Sequence, residues 1–268
     1  MIKPIGVFDS GIGGLTVVKE LIQSLPDEDI LYLGDTARVP YGTKSESTVI
    51  RFTLENILFL LRQEVKLIVV ACNTSSSIAL GVAKKHFKIP IIGVITPGAK
   101  EAVYATKNKC VGVIGTPATI RSKAYEIEIK RLDPAIKVIS YATPLFVPLV
   151  EEGWMNEEAT NAVAKKYLMP LKKANIDTLV LGCTHYPLLK SVIKKIIGKR
   201  ITLIDSAKQV ACEVKGILIH EGMLNAKRNP ASVKRVFYVT DAPLNFANLA
   251  RRFLAQPIKE VRKAEYYV

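Results

Sequence analysis

The sequence predicts an α/β protein built as two pseudo-symmetric, doubly wound parallel-sheet domains with a cleft between them. Three observations carry this. Short apolar runs alternate with longer amphipathic stretches through most of the 268 residues, the rhythm of βα units. The short runs are rich in Val, Ile and Leu, as strands covered by helices on both faces must be. Finally, three segments recur in the same order between 106 and 111 residues further along the chain.

Taken in order, strand 5–8 runs into Asp9-Ser10-Gly11-Ile12-Gly13-Gly14 and a helix over 15–24. Strand 30–33 and helix 45–63 follow. Strand 67–71 ends at Cys72-Asn73-Thr74 before helix 75–86, and strand 91–94 closes the first half. The second half opens with strand 111–114 and helix 120–131, then strand 137–141 and helix 157–174. Strand 178–181 ends at Cys183-Thr184-His185-Tyr186-Pro187. Helix 188–197, strand 201–204, helix 207–221 and strand 235–239 complete the pattern.

The recurring segments pair Gly6-Val7-Phe8 with Gly112-Val113-Ile114, Tyr32 with Tyr141, and the run ending at Cys72 with the run ending at Cys183. Each half thus presents a cysteine just past an equivalent strand. Ligands of open α/β sheets bind beyond the carboxyl ends of the strands. Two such halves facing each other would bring Cys72 and Cys183 to one cleft from opposite sides.

A formal net charge of +14 comes from lysines scattered in pairs over amphipathic helices, without aromatic interleaving or a nucleic-acid motif. A solvated exterior is expected, not a nucleic acid as primary partner. No run reaches the roughly 18–20 apolar residues of a membrane span. The N-terminus shows no signal-peptide pattern, so a cytoplasmic location is expected. The four cysteines lack a CxxC pair and are expected as free thiols, with Cys110 and Cys212 in the core.

The loop after the first strand lacks the third glycine of a dinucleotide fingerprint and the lysine of a phosphate loop. It suits a carboxylate, or an amine held by Asp9. Cys72 and Cys183 each precede a helix, whose positive end favours a thiolate. A thiol near pKa 8.5 can give or take a proton near neutral pH, which suits general acid/base work. Asn73, Thr74, Thr184 and His185 supply donors for a substrate carboxylate. Asp35 and Glu151 are expected at comparable positions of the repeat, facing the cleft. A zinc site from Cys72, Cys183 and His185 is the weaker alternative, with poor Cys-x-His spacing and no fourth ligand. A Cys–His hydrolase would leave the second thiol unexplained.

At these residues the chain resembles the glutamate racemase family. The matching segments are Phe8 to Thr16, Tyr32 to Asp35, Pro40-Tyr41-Gly42, Ala71 to Thr74, Gly115 to Thr119, Glu151-Glu152-Gly153 and Gly182 to Pro187. The resemblance implies a cofactor-independent, metal-free enzyme interconverting L- and D-glutamate, supplying the D-isomer for peptidoglycan, and a homodimer. It implies Cys72 and Cys183 as proton-transfer residues assisted by Asp9, Asp35, Glu151 and His185. Substrate contacts are implied at Asp9, Ser10, Pro40, Tyr41, Gly42, Asn73, Thr74, Thr116, Thr119, Thr184 and His185. The stretch from about residue 207 is implied to return to the first domain, giving domains 1–95 plus 207–268, and 96–206. Another amino-acid racemase of the same superfamily, aspartate included, and a non-catalytic amino-acid binder are the competing expectations.

Overall fold

A computed structural model describes residues 2–258 and 260–265. Its strands are β1 (Ile5–Asp9), β2 (Ile30–Gly34), β3 (Leu67–Val70), β4 (Ile91–Gly93), β5 (Cys110–Gly115), β6 (Lys137–Ala142), β7 (Thr178–Gly182), β8 (Thr202–Ile204), β9 (Arg235–Val239) and β10 (Val261–Lys263). They form two parallel sheets, one in the order β10-β9-β2-β1-β3-β4 and the other β6-β5-β7-β8. The central strands β1, β3 and β7 are buried along their whole length, which is why their sequences are apolar without alternation.

The second sheet repeats the inner order of the first, with β5 to β8 standing for β1 to β4. In each, the chain steps from the central strand to one side and then crosses to the other. The order therefore reverses between β1 and β3, and again between β5 and β7. That reversal opens a crevice beyond the strand ends, where the loops diverge. Cys72 follows β3 and Cys183 follows β7, so both thiols stand at a reversal point.

Register refines the repeat. Val7 lies opposite Tyr32, and its counterpart Val113 lies opposite Ser140, so Ser140 replaces Tyr141 as the partner of Tyr32 in the repeat. Beyond the strands, the Asp35 N–H donates to Asp9 and the Thr143 N–H donates to Gly115. Thr143, not Glu151, is thus the counterpart of Asp35. A one-residue slip turns a side chain to the opposite face of a strand, so matching tyrosines by type alone misleads.

The helices are α1 (Leu15–Ser24), α2 (Glu46–Arg62), α3 (Asn73–Ile78), α4 (Leu80–His86), α5 (Ile95–Ala105), α6 (Pro117–Arg121), α7 (Ala124–Leu132), α8 (Phe146–Glu151), α9 (Glu158–Lys173), α10 (Lys190–Ile197), α11 (Ser206–His220) and α12 (Pro243–Leu254). Two expected helices are each divided. The stretch 75–86 breaks at Ala79, where a serine-rich first part sends the Ser76 hydroxyl back to the Val70 carbonyl. The stretch 120–131 breaks at Lys123, which adopts a left-handed conformation. Helices α5, α8 and α12 and strand β10 were not foreseen. Pro97 in α5 and Pro148 in α8 each fall in the first turn, where a missing N–H costs no bond.

Helix α11 packs on α1 and α5, and β9 then pairs with β2, returning the chain to the first sheet. Cys212 on α11 is exposed and Cys110 half-buried, so neither is the core residue expected. Cys212 falls on the outer face of α11, whose inner face is filled by Val210, Ala211, Val214 and Leu218. No helix among the described residues is long and apolar enough to cross a membrane.

Candidate active site

The loops after β1, β2, β3, β5, β6 and β7 enclose a cavity of about 310 Å³. It receives Ser10, Pro40, Tyr41, Gly42, Cys72, Asn73, Thr74, Thr116, Glu151, Cys183, Thr184 and His185 of the expected site residues. Asp9, Asp35 and Thr119 do not line it. Val39, Thr143, Val147 and Pro148 also line it, although none of them was among the expected site residues. Neither lysine nor arginine is among the lining residues described.

The two thiols have unlike surroundings. Cys72 lies just past β3 at the N-cap of α3, and its S–H points at Ser10 Oγ, 3.6 Å away. Burial and the nearby Asp9 carboxylate push the Cys72 thiol up to about 11. Asp9, closing β1, is almost fully buried, and its carboxyl is raised by that burial. It is held by the Gly11 N–H at 3.2 Å and the Thr184 hydroxyl at 3.4 Å. It therefore underlies the cavity wall beneath Cys72 instead of facing the interior.

Cys183 Sγ lies 3.8 Å from His185 Nδ1, and His185 Nε2 lies 2.9 Å from Glu151 Oε1. Burial pulls the imidazole pKa down, but hydrogen bonds and charge attraction from Cys183 and Glu151 outweigh it and hold it at about 10. At neutral pH the ring is a cation beside the sulfur. Phe253 of α12 meets this ring edge-on at 5.3 Å, a neighbour that sequence reading missed because α12 itself was missed.

The loops of the two halves interlock. Thr16 Oγ1 donates to the Thr184 carbonyl at 3.2 Å. A Cβ at Gly13 would collide with Thr184 Oγ1 and the His185 ring, so the glycine serves close approach and not an unusual backbone angle. On the opposite wall, Thr74, Thr116 and Thr119 hydroxyls form a triangle with sides of 2.9, 3.0 and 3.3 Å. Thr116 also caps α6 through the Thr119 N–H, and Tyr125 donates to Asn73 Oδ1 at 2.7 Å.

Asp35 corrects the expectation of a carboxylate facing the cleft. It is fully buried behind Tyr41, whose hydroxyl donates to it, and it also accepts from Arg38 and, at 3.1 Å, from Thr240. An isolated buried carboxylate is costly, and here it is matched by a guanidinium and two hydroxyls. The network fixes Tyr41 and leaves Gly42 at the cavity wall. Among the described residues no group of three or more His, Cys, Asp and Glu gathers where it could hold a metal.

Comparison with known proteins extends the geometry. The family model described as Asp/Glu/hydantoin racemase matches residues 5–213. A glutamate racemase of Geobacter metallireducens is 50% identical over 259 residues, covering 97% of this chain and 95% of that one. The crystal structure of glutamate racemase isoform RacE1 from Bacillus anthracis superposes with a TM-score of 0.94 at 43% identity, covering 98% of this chain and 97% of that chain. The glutamate racemase of Francisella tularensis, solved in complex with D-glutamate, gives a TM-score of 0.92 at 43% identity, with 98% of each chain covered.

Proposed function

The chain belongs to the Asp/Glu/hydantoin racemase family, and from that membership we propose that it interconverts L- and D-glutamate by passing the α-proton between Cys72 and Cys183. One observation carries the reading above the others: two thiols, at the ends of equivalent strands, line one cavity. Inversion needs an acid and a base on opposite faces of the α-carbon, and the repeat supplies one of each.

In one direction, a thiolate on Cys183 takes the α-proton and becomes a thiol. The electron pair left on carbon delocalises into the α-carboxylate. Cys72 then gives its proton to the opposite face and becomes the thiolate. The reverse direction exchanges the roles, and proton exchange with neighbours or solvent restores the starting form. The unlike surroundings support this division. The His185 cation stabilises negative charge on Cys183, while the Asp9 carboxylate opposes it on Cys72, which starts as the thiol. Glu151 keeps His185 charged. Asp35 acts through Tyr41, holding the wall that carries Gly42.

Neutral donors would bind the substrate: the hydroxyls of Ser10, Thr74, Thr116 and Thr184, the Asn73 amide, and N–H groups of the strand-end loops. They also stabilise the charge that develops on the carboxylate in the transition state. Thr119 contributes by orienting Thr116. We assign domains 1–95 plus 207–268, and 96–206, around the two sheets; their closure over the substrate would exclude water. The product D-glutamate would serve peptidoglycan synthesis. A cytoplasmic homodimer, as the resemblance implies, completes the proposal.

L-glutamate in deuterium oxide tests it. Proton NMR should show loss of the α-proton while circular dichroism falls toward zero, and D-glutamate should behave likewise. Aspartate in the same assay should react far more slowly. Cys72→Ala and Cys183→Ala should each abolish racemisation without loss of cooperative melting. Full activity in either variant rejects the scheme, and label exchange without inversion points to a single-thiol reaction.

A further inference from the structure

We infer that the last turn of α12, through Phe253 with Arg252, positions the His185–Glu151 pair and so governs one of the two proton transfers. The inference rests on the two-thiol reading of the cleft. Both ring nitrogens of His185 are engaged, Nδ1 toward Cys183 and Nε2 toward Glu151. Two bonds on one line leave the ring free to tip about that line. Phe253, itself 2% exposed, meets it at 5.3 Å with the planes 82° apart. An edge-to-face partner in that position stops the tipping.

The preceding residue touches the other member of the pair. Arg252 Nη1 lies 3.4 Å from the Glu151 carbonyl. A Cβ on Gly153 would sit 2.6 Å from the same nitrogen, and Gly153 has a φ of +81°, which only glycine adopts freely. The Arg252 guanidinium thus packs directly against the turn that follows Glu151.

The helix has its anchor in the first half. Phe246 stacks on Tyr32 at 6.0 Å, and the Tyr32 hydroxyl donates to the Gly11 carbonyl at 2.8 Å. Rooted beside β1 and β2, α12 reaches the acid/base pair of the opposite half. Neither residue touches the cavity, so both act through His185 and Glu151.

The test uses the full chain and racemisation of α-protiated and α-deuterated glutamate in both directions. In one direction the substrate's own hydrogen passes to Cys183, in the other to Cys72. Slowing only the Cys183 transfer makes the two deuterium isotope effects on kcat/KM diverge. Phe253→Leu should lower kcat roughly 10- to 100-fold with little change in KM, the size a small misplacement of a catalytic group produces. Its isotope effects should diverge in the same sense as those of His185→Gln, and Phe253→Tyr should recover most of the loss. Arg252→Ala, at an exposed position, should show a smaller shift in the same sense.

A wild-type protein that does not racemise glutamate defeats the reading of the cleft. With an active wild type, kcat within twofold in Phe253→Leu overturns the inference, as does a fall in kcat with the isotope effects moving together. Should Phe253→Leu fail to fold, an unchanged isotope ratio in Arg252→Ala overturns it.

Discussion

The two cysteines are chemically alike and electrostatically opposed. Burial and the neighbouring Asp9 carboxyl raise the Cys72 thiol, while the His185 ring stands beside Cys183, so the two sulfurs meet unlike electrostatic surroundings. The charge on His185 has a consequence for stability. Its pKa is about 10 in the fold against an ordinary 6.5, so the folded state favours the protonated ring. That contribution is complete below about pH 6.5 and is lost as pH rises through about 10. The melting-temperature advantage of wild type over His185→Gln should therefore be largest near pH 6.5 and shrink toward pH 10 in calorimetry. A gap that widens with pH would contradict the assignment. The thiols were legible in the sequence because each closes an apolar run and opens a polar one. Asp35 was legible only as a carboxylate near a strand end. Its side chain turns behind Tyr41 because Arg38, Asn56 and Thr240 gather there, and Thr240 lies 205 residues away.

Elements place these residues through strand order and loop contact. The repeat of β2-β1-β3-β4 as β6-β5-β7-β8 sets both cysteines at a reversal point, and the interlocked loops set the distance between halves. Gly13 is one contact between the halves that admits no side chain. Gly13→Ala should push Thr184 and His185 out of place, cutting kcat/KM roughly 100-fold or more. The stability cost should be only ~1–3 kcal/mol, the usual size for overpacking. Steady-state kinetics beside urea unfolding checks both halves of that expectation, and near-normal kcat/KM would refute the contact. Strands were readable because burial on both faces leaves an unbroken apolar run. The helices that escaped notice begin with Pro97 or Pro148 in the first turn or, like α12, lie beyond the repeat. Register was readable only where glycine and cysteine marked it.

At the scale of the whole molecule, the chain's return to the first sheet is clamped by three consecutive acids. Asp27 and Asp29 accept from the Arg228 N–H at 2.8 Å and its guanidinium at 2.7 Å. Glu28, buried, accepts from the Asn225 N–H at 2.8 Å and pairs with the half-buried Lys66 at 2.6 Å. Lys66 also donates to the Met223 carbonyl at 2.6 Å. Lys66→Met leaves the Glu28 charge without its partner and should cost ~3–5 kcal/mol in urea unfolding. A loss below 1 kcal/mol would show that the clamp is dispensable. No sequence pattern marked these acids, because Asn225 and Arg228 stand about 200 residues away along the chain.

No lysine or arginine is among the described residues of the cavity wall, which bears on how an anionic amino acid would come and go. The molecule as a whole carries a formal +14, a field that gathers anions from a distance and weakens as salt is added. Inside, among the described residues, hydroxyl and amide dipoles and one imidazolium paired with Glu151 receive them. Ionic strength would thus govern how often a guest arrives and hardly touch how long it stays. A racemase must release either mirror image, and a chamber that attracts from afar and grips lightly suits both.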